Sequence, residues 1–299
     1  MTEMSDIRVE LADFGVIAVS GADARTFLGN LLTADVRTVS ETVGVFSAWC
    51  DAKGRVLATL WLVQRGEVFY LILPKERIQP VLAGLSRYLL RSKVKLEDLS
   101  PVMTVSGLSG DPARFAAASG MEWPDRIYGC HDSARGLVWS IPSSGQPRWL
   151  FLGDLPVMPE VQAEKPAFWH WQDVMAGIPW ITDATVGEFI PQMLNLGSLG
   201  ALCFTKGCYP GQEVIARLHY RGQLKRQMFL ATLEAGFDVP LPGTPLYGGG
   251  MAESLGAVVQ AARDPAGTLH LLAVVKLDDK DQSPAHLGHP DGPVVRFEG

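Results

Sequence analysis

The chain has 299 residues, of which 47% are hydrophobic and 19% charged, with a formal net charge of −6. That length accommodates about two or three compact domains and a substantial core, while the acidic balance disfavours a broad nucleic-acid-binding surface. No apolar run is long enough to span a bilayer, and residues 1–10 are polar and acidic, unlike a secretory or mitochondrial leader. Four scattered cysteines, Cys50, Cys130, Cys203 and Cys208, form no Cys-x-x-Cys pair. A reducing cytoplasm with no membrane partner is therefore expected, for a protein taken to be a monomer.

From the N-terminus, 9–11 and 16–20 read as strands about the turn Asp13-Phe14-Gly15, and 21–32 as a helix with Phe27, Leu28, Leu31 and Leu32 at helical spacing. Strands are expected at 43–50, 55–63 and 68–73, the first two joined by the turn Asp51-Ala52-Lys53-Gly54. Pro74 opens a helix whose Ile78, Val81, Leu82, Leu85 and Leu89 face inward. A strand over 102–108, an Ala-rich helix over 111–120 and a hairpin of 138–141 with 149–152 follow. A helix over 167–176 is stopped by Gly177 and Pro179. Strands punctuated by helices in this order point to an α+β fold with antiparallel sheets.

After Arg226 the helices cease. Strands at 227–233, 254–261 and 268–275, with several prolines, point to a small β-barrel. Gly248-Gly249-Gly250 reads as a loop, because no strand-to-helix phosphate cradle follows it.

Residues 206–217 concentrate the chemistry. Cys208 lies between Gly207 and a Tyr209-Pro210-Gly211 turn, with Lys206 two residues before it and Gln212, Glu213 and Arg217 on a helix-like segment after it. A thiol near a helix N-terminus and a cation has its thiolate favoured; the alternative is a buried small hydrophobe beside a turn. Cys203 and Cys208 match no metal-ligand spacing, and His131, His170 and His219 stand isolated. Residues 206–226 carry Lys206, Arg217, His219, Arg221, Lys225 and Arg226 against Glu213 alone. Such a patch fits a small anionic ligand, a restricted RNA contact or a solvated face.

The word Lys206-Gly207-Cys208-Tyr209-Pro210-Gly211-Gln212-Glu213, with Ala216-Arg217, resembles the signature of the YgfZ proteins, folate-binding relatives of the aminomethyltransferase (T protein) of glycine cleavage. Gly187-Glu188-Phe189-Ile190-Pro191-Gln192, Asn195-Leu196, Arg221-Gly222 and Lys225-Arg226 extend the likeness downstream and upstream of it. Leu32-Thr33-Ala34-Asp35-Val36 and Asp51-Ala52-Lys53-Gly54-Arg55-Val56 fit the family's N-terminal half, so the resemblance runs from about Phe14 to Arg226. It implies an aminomethyltransferase-like folate-binding fold. Residues 1–225 would form two interleaved α+β subdomains and residues 226–299 a C-terminal β-barrel, arranged as a ring about a ligand channel.

The resemblance also implies roles. Phe14 and Trp169 would contact tetrahydrofolate or a derivative, with Phe14 standing where the family often has tryptophan, and Asn195 would intrude into the site. Trp169 also shares a cluster with Phe168, Trp171 and Trp180, the usual mark of a core. Asp35 and Asp51 could bond a pterin, or cap turns as aspartates commonly do. Cys208 would be the essential thiol, a nucleophile or transient iron–sulfur cluster ligand, with Lys206 and Arg217 favouring its thiolate and Gln212 and Glu213 bonding backbone donors. No resident metal site is expected.

Aminomethyltransferases carry an acidic pair after the glycine turn, where this chain has Ala58 and Thr59. Neither takes up a proton. With that pair missing, the resemblance implies a folate-binding accessory protein supporting iron–sulfur enzymes, including those that methylthiolate tRNA, with direct tRNA contact left open. The alternative is a folate-dependent one-carbon transferase acting on an unknown amine.

Overall fold

Two sheets share the N-terminal part of the chain, and a barrel closes the C-terminal part. The computed structural model describes residues 6–234, 236–248, 253–278 and 284–298. The chain opens with β1 (Ile7–Glu10), β2 (Phe14–Ser20), α1 (Ala24–Gly29), β3 (Val45–Cys50), β4 (Val56–Arg65), β5 (Val68–Pro74), α2 (Ile78–Ser86) and β6 (Lys95–Asp98). It continues with β7 (Val105–Ser109), α3 (Pro112–Ser119), β8 (Cys130–Ser133), β9 (Gly136–Ile141), β10 (Arg148–Gly153), β11 (Gln162–Glu164) and α4 (Pro166–Met175). A stretch of linked turns leads to α5 (Gln212–Arg221), β12 (Arg226–Leu233), β13 (Pro245–Gly248), β14 (Ser254–Arg263), β15 (Leu269–Lys276), β16 (Ala285–Leu287) and β17 (Val294–Phe297).

The first sheet runs β3-β4-β5-β2-β6 and the second β11-β1-β7-β10-β9-β8. The chain contributes β1 to the second sheet, builds the whole first sheet, then returns, which interleaves two α+β units. Both faces of the first sheet are covered along β2 to β5, so these strands read as near-continuous apolar runs although they pair antiparallel. From Ala58 onward β4 alternates: Ala58, Leu60 and Leu62 meet Phe27, Leu28, Ile78, Val81 and Leu85. Trp61 and Val63 instead face a central core shared with the second sheet and the barrel.

The barrel closes in the order β12-β15-β14-β13-β16-β17. Its interior holds Leu246, Val258, Leu271, Ala273 and Val275, while Met228, Val259, Leu272 and Val274 point outward into the central core. A bulge in β14 between Val258 and Gln260 disturbs this alternation and turns consecutive residues the same way. The expected α+β class, with a C-terminal barrel, is the observed one.

Strands β6, β8, β11, β13, β16 and β17 were not legible in the sequence. β6, β8 and β11 are sheet edges of three or four mostly polar residues, such as Lys-Leu-Glu-Asp, and need only one neighbour. The first helix is shorter than its periodicity suggests, ending at Gly29, and Leu32 instead bridges to Trp49. Of the Gly248-Gly249-Gly250 loop, Gly248 ends β13 and the other two lie outside the described residues. No helix among the described residues is long and apolar enough to cross a membrane.

Candidate functional site

A cavity of about 330 Å³ opens where β2, the end of β5, α4 and barrel strand β14 meet. Phe14, at the start of β2, forms one wall, with the Trp180 ring edge-on at 4.7 Å and the His170 ring nearly parallel at 6.3 Å. Gly177, at φ 66°, ends α4 in the left-handed conformation and turns the chain back so that Trp180 reaches this wall. The β14 bulge brings the consecutive residues Val259, Gln260 and Ala261 into the lining, beside Trp180.

Polar groups enter this apolar space at defined points. His170 Nε2 lies 2.6 Å from Asp13 Oδ2. Burial opposes charge on both, yet their mutual hydrogen bond and attraction prevail, holding the Asp13 carboxyl below its ordinary value and raising the His170 imidazolium above its own. Gln260 is buried at 8% exposure; its Oε1 accepts from Trp180 N at 3.2 Å, and its Nε2 has no partner among the described residues. A buried donor left unmade costs free energy unless a ligand or water supplies the acceptor. Lys75 and Glu76 lie exposed in the lining, and Glu76 accepts from Asp183 N at 2.8 Å.

Behind the wall sits a buried ion pair. Arg148 Nη2 donates to Asp173 Oδ1, and the other Asp173 oxygen accepts from Trp180 Nε1 at 2.8 Å. Trp169 lies here, 1% exposed, its ring under the Arg148 guanidinium at 4.0 Å and against Gly107 of β7. The structure therefore corrects its expected placement: Trp169 is core, and its neighbour His170 takes the cavity face. Asn195 is also elsewhere. Its Nδ2 donates to Met228 O at 2.8 Å and its Oδ1 accepts from Gln227 Nε2 at 3.0 Å, so it fastens the linked turns to β12. Asp35 and Asp51 cap turns, accepting from Arg37 N and from Lys53 N and Arg55 N respectively.

The Cys208 loop forms a second, separate place, and none of residues 203–217 lines the cavity. Gly211, at φ 78°, caps α5 and packs so tightly on the Asp51–Gly54 turn that an added Cβ would fall 2.4 Å from Gly54 Cα. Cys208 is exposed, four residues before α5 begins, with no hydrogen bond among the described residues. Lys206 is turned away from that thiol: its ammonium donates to Gly29 O at 2.6 Å and lies 4.5 Å from the centre of the buried Tyr209 ring. Burial pulls the Lys206 amine down to about 8, against attraction from Cys203 and Asp35. The side chains of Gln212 and Glu213 bond no backbone donor among the described residues, and Arg217 is exposed without an ion pair. Among the described residues Lys206 therefore does not pair with the thiol, and the side chains of Gln212 and Glu213 do not make the expected loop-fixing bonds. Backbone geometry, centred on Gly211, holds the loop instead.

In the sequence Asp13, His170 and Trp180 stand only as a turn residue, an isolated histidine and a member of an aromatic cluster, and nothing there joins them with Gln260 in one cavity. Gln260, a lone amide in the apolar run Val258-Val259-Gln260-Ala261-Ala262, carried a usable signal.

No family model matches the sequence. The tRNA-modifying protein YgfZ of Photorhabdus laumondii is 32% identical over 248 residues, covering 80% of this chain and 74% of that one. That of Yersinia pestis (strain Pestoides F) is 32% identical over 283 residues, covering 90% of this chain and 84% of its own. The chain belongs to the YgfZ family. Among solved structures, glycine cleavage system aminomethyltransferase T from Bartonella henselae superposes with a TM-score of 0.78 over 100% of this chain and 86% of that one. At 14% identity this likeness shows the fold alone. Within this YgfZ-family fold, Ala58 and Thr59 are fully buried on opposite faces of β4. Ala58 packs under the helices, while Thr59 Oγ1 donates to Pro179 O at 2.8 Å and accepts from Ile181 N at 3.1 Å. That hydroxyl is committed to holding the segment that carries Trp180.

Proposed function

We propose that this protein binds a reduced folate in the junction cavity and acts as an accessory factor in tRNA modification. The observation that carries the reading is the cavity itself, lined by aromatic rings and, beside them, by a buried donor with no partner among the described residues. A reduced pterin is flat and carries both hydrogen-bond donors and acceptors along its edge. Phe14 and Trp180 would pack against it, Gln260 Nε2 would donate to its edge, and Lys75 would meet the tail carboxylates. The aminomethyltransferase-like fold and the naming of the relatives as tRNA-modifying support this assignment.

Retained binding does not require retained transfer chemistry. Ala58 has no titratable group and Thr59 is hydrogen-bonded on both sides, so neither handles a substrate amine. Folate would therefore report or stabilise, while Cys208, exposed on its loop, makes the functional contact through its thiol with an iron–sulfur client, including one that methylthiolates tRNA. Among the described residues no group of three His, Cys, Asp or Glu could hold a metal ion. A cluster touched by Cys208 would draw its other ligands from the client. The buried thiols of Cys50 and Cys130 do not serve this role, since burial pushes Cys130 up to about 12 and Cys50 higher still. A one-carbon transferase using the thiol is disfavoured, because no residue of the Cys208 loop lines the cavity.

Complementation tests this. In cells lacking the protein, Cys208→Ser should accumulate as a folded protein yet fail to restore tRNA methylthiolation by nucleoside mass spectrometry. Full restoration would remove the thiol from the function.

A further inference from the structure

We infer that the exposed face of α5, with the aromatic rings beside it, is a docking surface for unstacked bases of single-stranded RNA. The inference rests on the tRNA-modification reading for its biological setting but not for its physical grounds. Residues 214–226 hold Arg217, Arg221, Lys225 and Arg226 and no acidic residue, in a chain with 32 Asp and Glu against 26 Lys and Arg. All four cations are exposed. None makes an ion pair or side-chain hydrogen bond among the described residues, although Glu213 stands four residues before Arg217 on the same helix.

Rings are interleaved with these charges. Tyr220 is 67% exposed, which leaves its ring open to a partner. It lies three residues from Arg217 and next to Arg221, so the three share one helix face. On its flank, His219 stacks on Phe204 with ring centres 4.0 Å apart and planes within 12°, and Tyr220 meets His219 edge-on at 4.8 Å. The loop residue Phe204 thus joins the helix in a short aromatic platform.

Charge and ring shape together select the partner. Phosphates answer the unpaired cations, and base faces answer the rings, each stacked base adding sequence-tolerant affinity. An anionic membrane would call for aliphatic residues to insert, and the exposed apolar residue on α5 besides Tyr220 is Val214. A duplex would present phosphates but keep its bases stacked, so loops and single strands fit best.

Fluorescence anisotropy tests the surface, using a labelled RNA stem-loop with an unpaired loop and a blunt RNA duplex of equal length. The full-length protein should bind the stem-loop more tightly. Tyr220→Ala should weaken stem-loop binding by about five- to a hundredfold, leave the duplex unaffected and leave the salt slope unchanged. Arg221→Gln with Lys225→Gln should reduce the log–log salt slope by about 1.4 between about 50 and 200 mM salt. Equal affinity for both RNAs, a neutral Tyr220→Ala, or binding of an acidic peptide in place of RNA would each overturn the inference. Tetrahydrofolate titration of the same variants separates the two claims. Folate affinity should be unchanged, and loss of folate binding in the wild type with RNA binding intact would sink the cavity reading alone.

Discussion

Replacing Asp173 by asparagine should destabilise the protein by about 3–5 kcal/mol, the range for leaving a buried charge without its partner. Asp173 and Arg148 are each only 1% exposed. The carboxylate accepts from Arg148 on one oxygen and from Trp180 Nε1 on the other, whereas asparagine offers one acceptor and would turn its amide donors toward the second. Arg148 Nε and Nη1 have no other partner among the described residues, so nothing nearby replaces the lost anion. Burial already pulls the Arg148 guanidinium below its ordinary value, against the attraction and hydrogen bond of Asp173. Against a typical domain stability of about 5–15 kcal/mol the loss is a large fraction. Urea unfolding followed by tryptophan fluorescence should show a lowered midpoint with an unchanged slope. The paired change Arg148→Met with Asp173→Leu should recover most of the loss, because it removes both charges. A cost below about 1 kcal/mol for Asp173→Asn would refute the reasoning, since it would mean that water reaches the pair.

The Lys206 amine should titrate near pH 8 by NMR of the labelled side chain. Between about 8 and 10.5 the unfolded chain keeps a proton there that the folded chain has released, so stability should rise with pH across that window and be flat in this respect below 8, where both states are protonated. Lys206→Met should lack that slope; parallel pH–stability curves for the two proteins would contradict the burial. Asn195→Gly keeps the positive φ of 54° but loses two side-chain hydrogen bonds to β12. It should cost about 1–2 kcal/mol and speed amide exchange in β12 without changing folate affinity. A fall in affinity would return Asn195 to the ligand site.

Long apolar strands and helices were legible because both faces of the first sheet and the barrel's inner and outer faces impose clear patterns. The Gly211 word was legible for a physical reason too: its positive φ and its contact with Gly54 admit glycine alone. What sequence could not show was orientation. Trp169 and His170 are neighbours on α4, and only the packing of the helix between β7 and β14 decides which of them faces the cavity. Lys206 and Cys208 are two apart, and the chain's turn at Gly207 sends one inward and leaves the other exposed. Gln260 reached the wall through a bulge that has no sequence signature of its own. Short polar edge strands were hidden because their pairing depends on a neighbour far along the chain.

Titration of the purified protein with tetrahydrofolate, followed by tryptophan fluorescence, bears most directly on the proposed function. Trp180 forms the wall, so the wild type should show saturable quenching. Phe14→Leu, which stays apolar but loses the ring, should weaken binding about tenfold with only a few degrees' fall in unfolding temperature. No quenching at millimolar ligand, or equal affinity in Phe14→Leu, would contradict the placement of folate in the junction cavity.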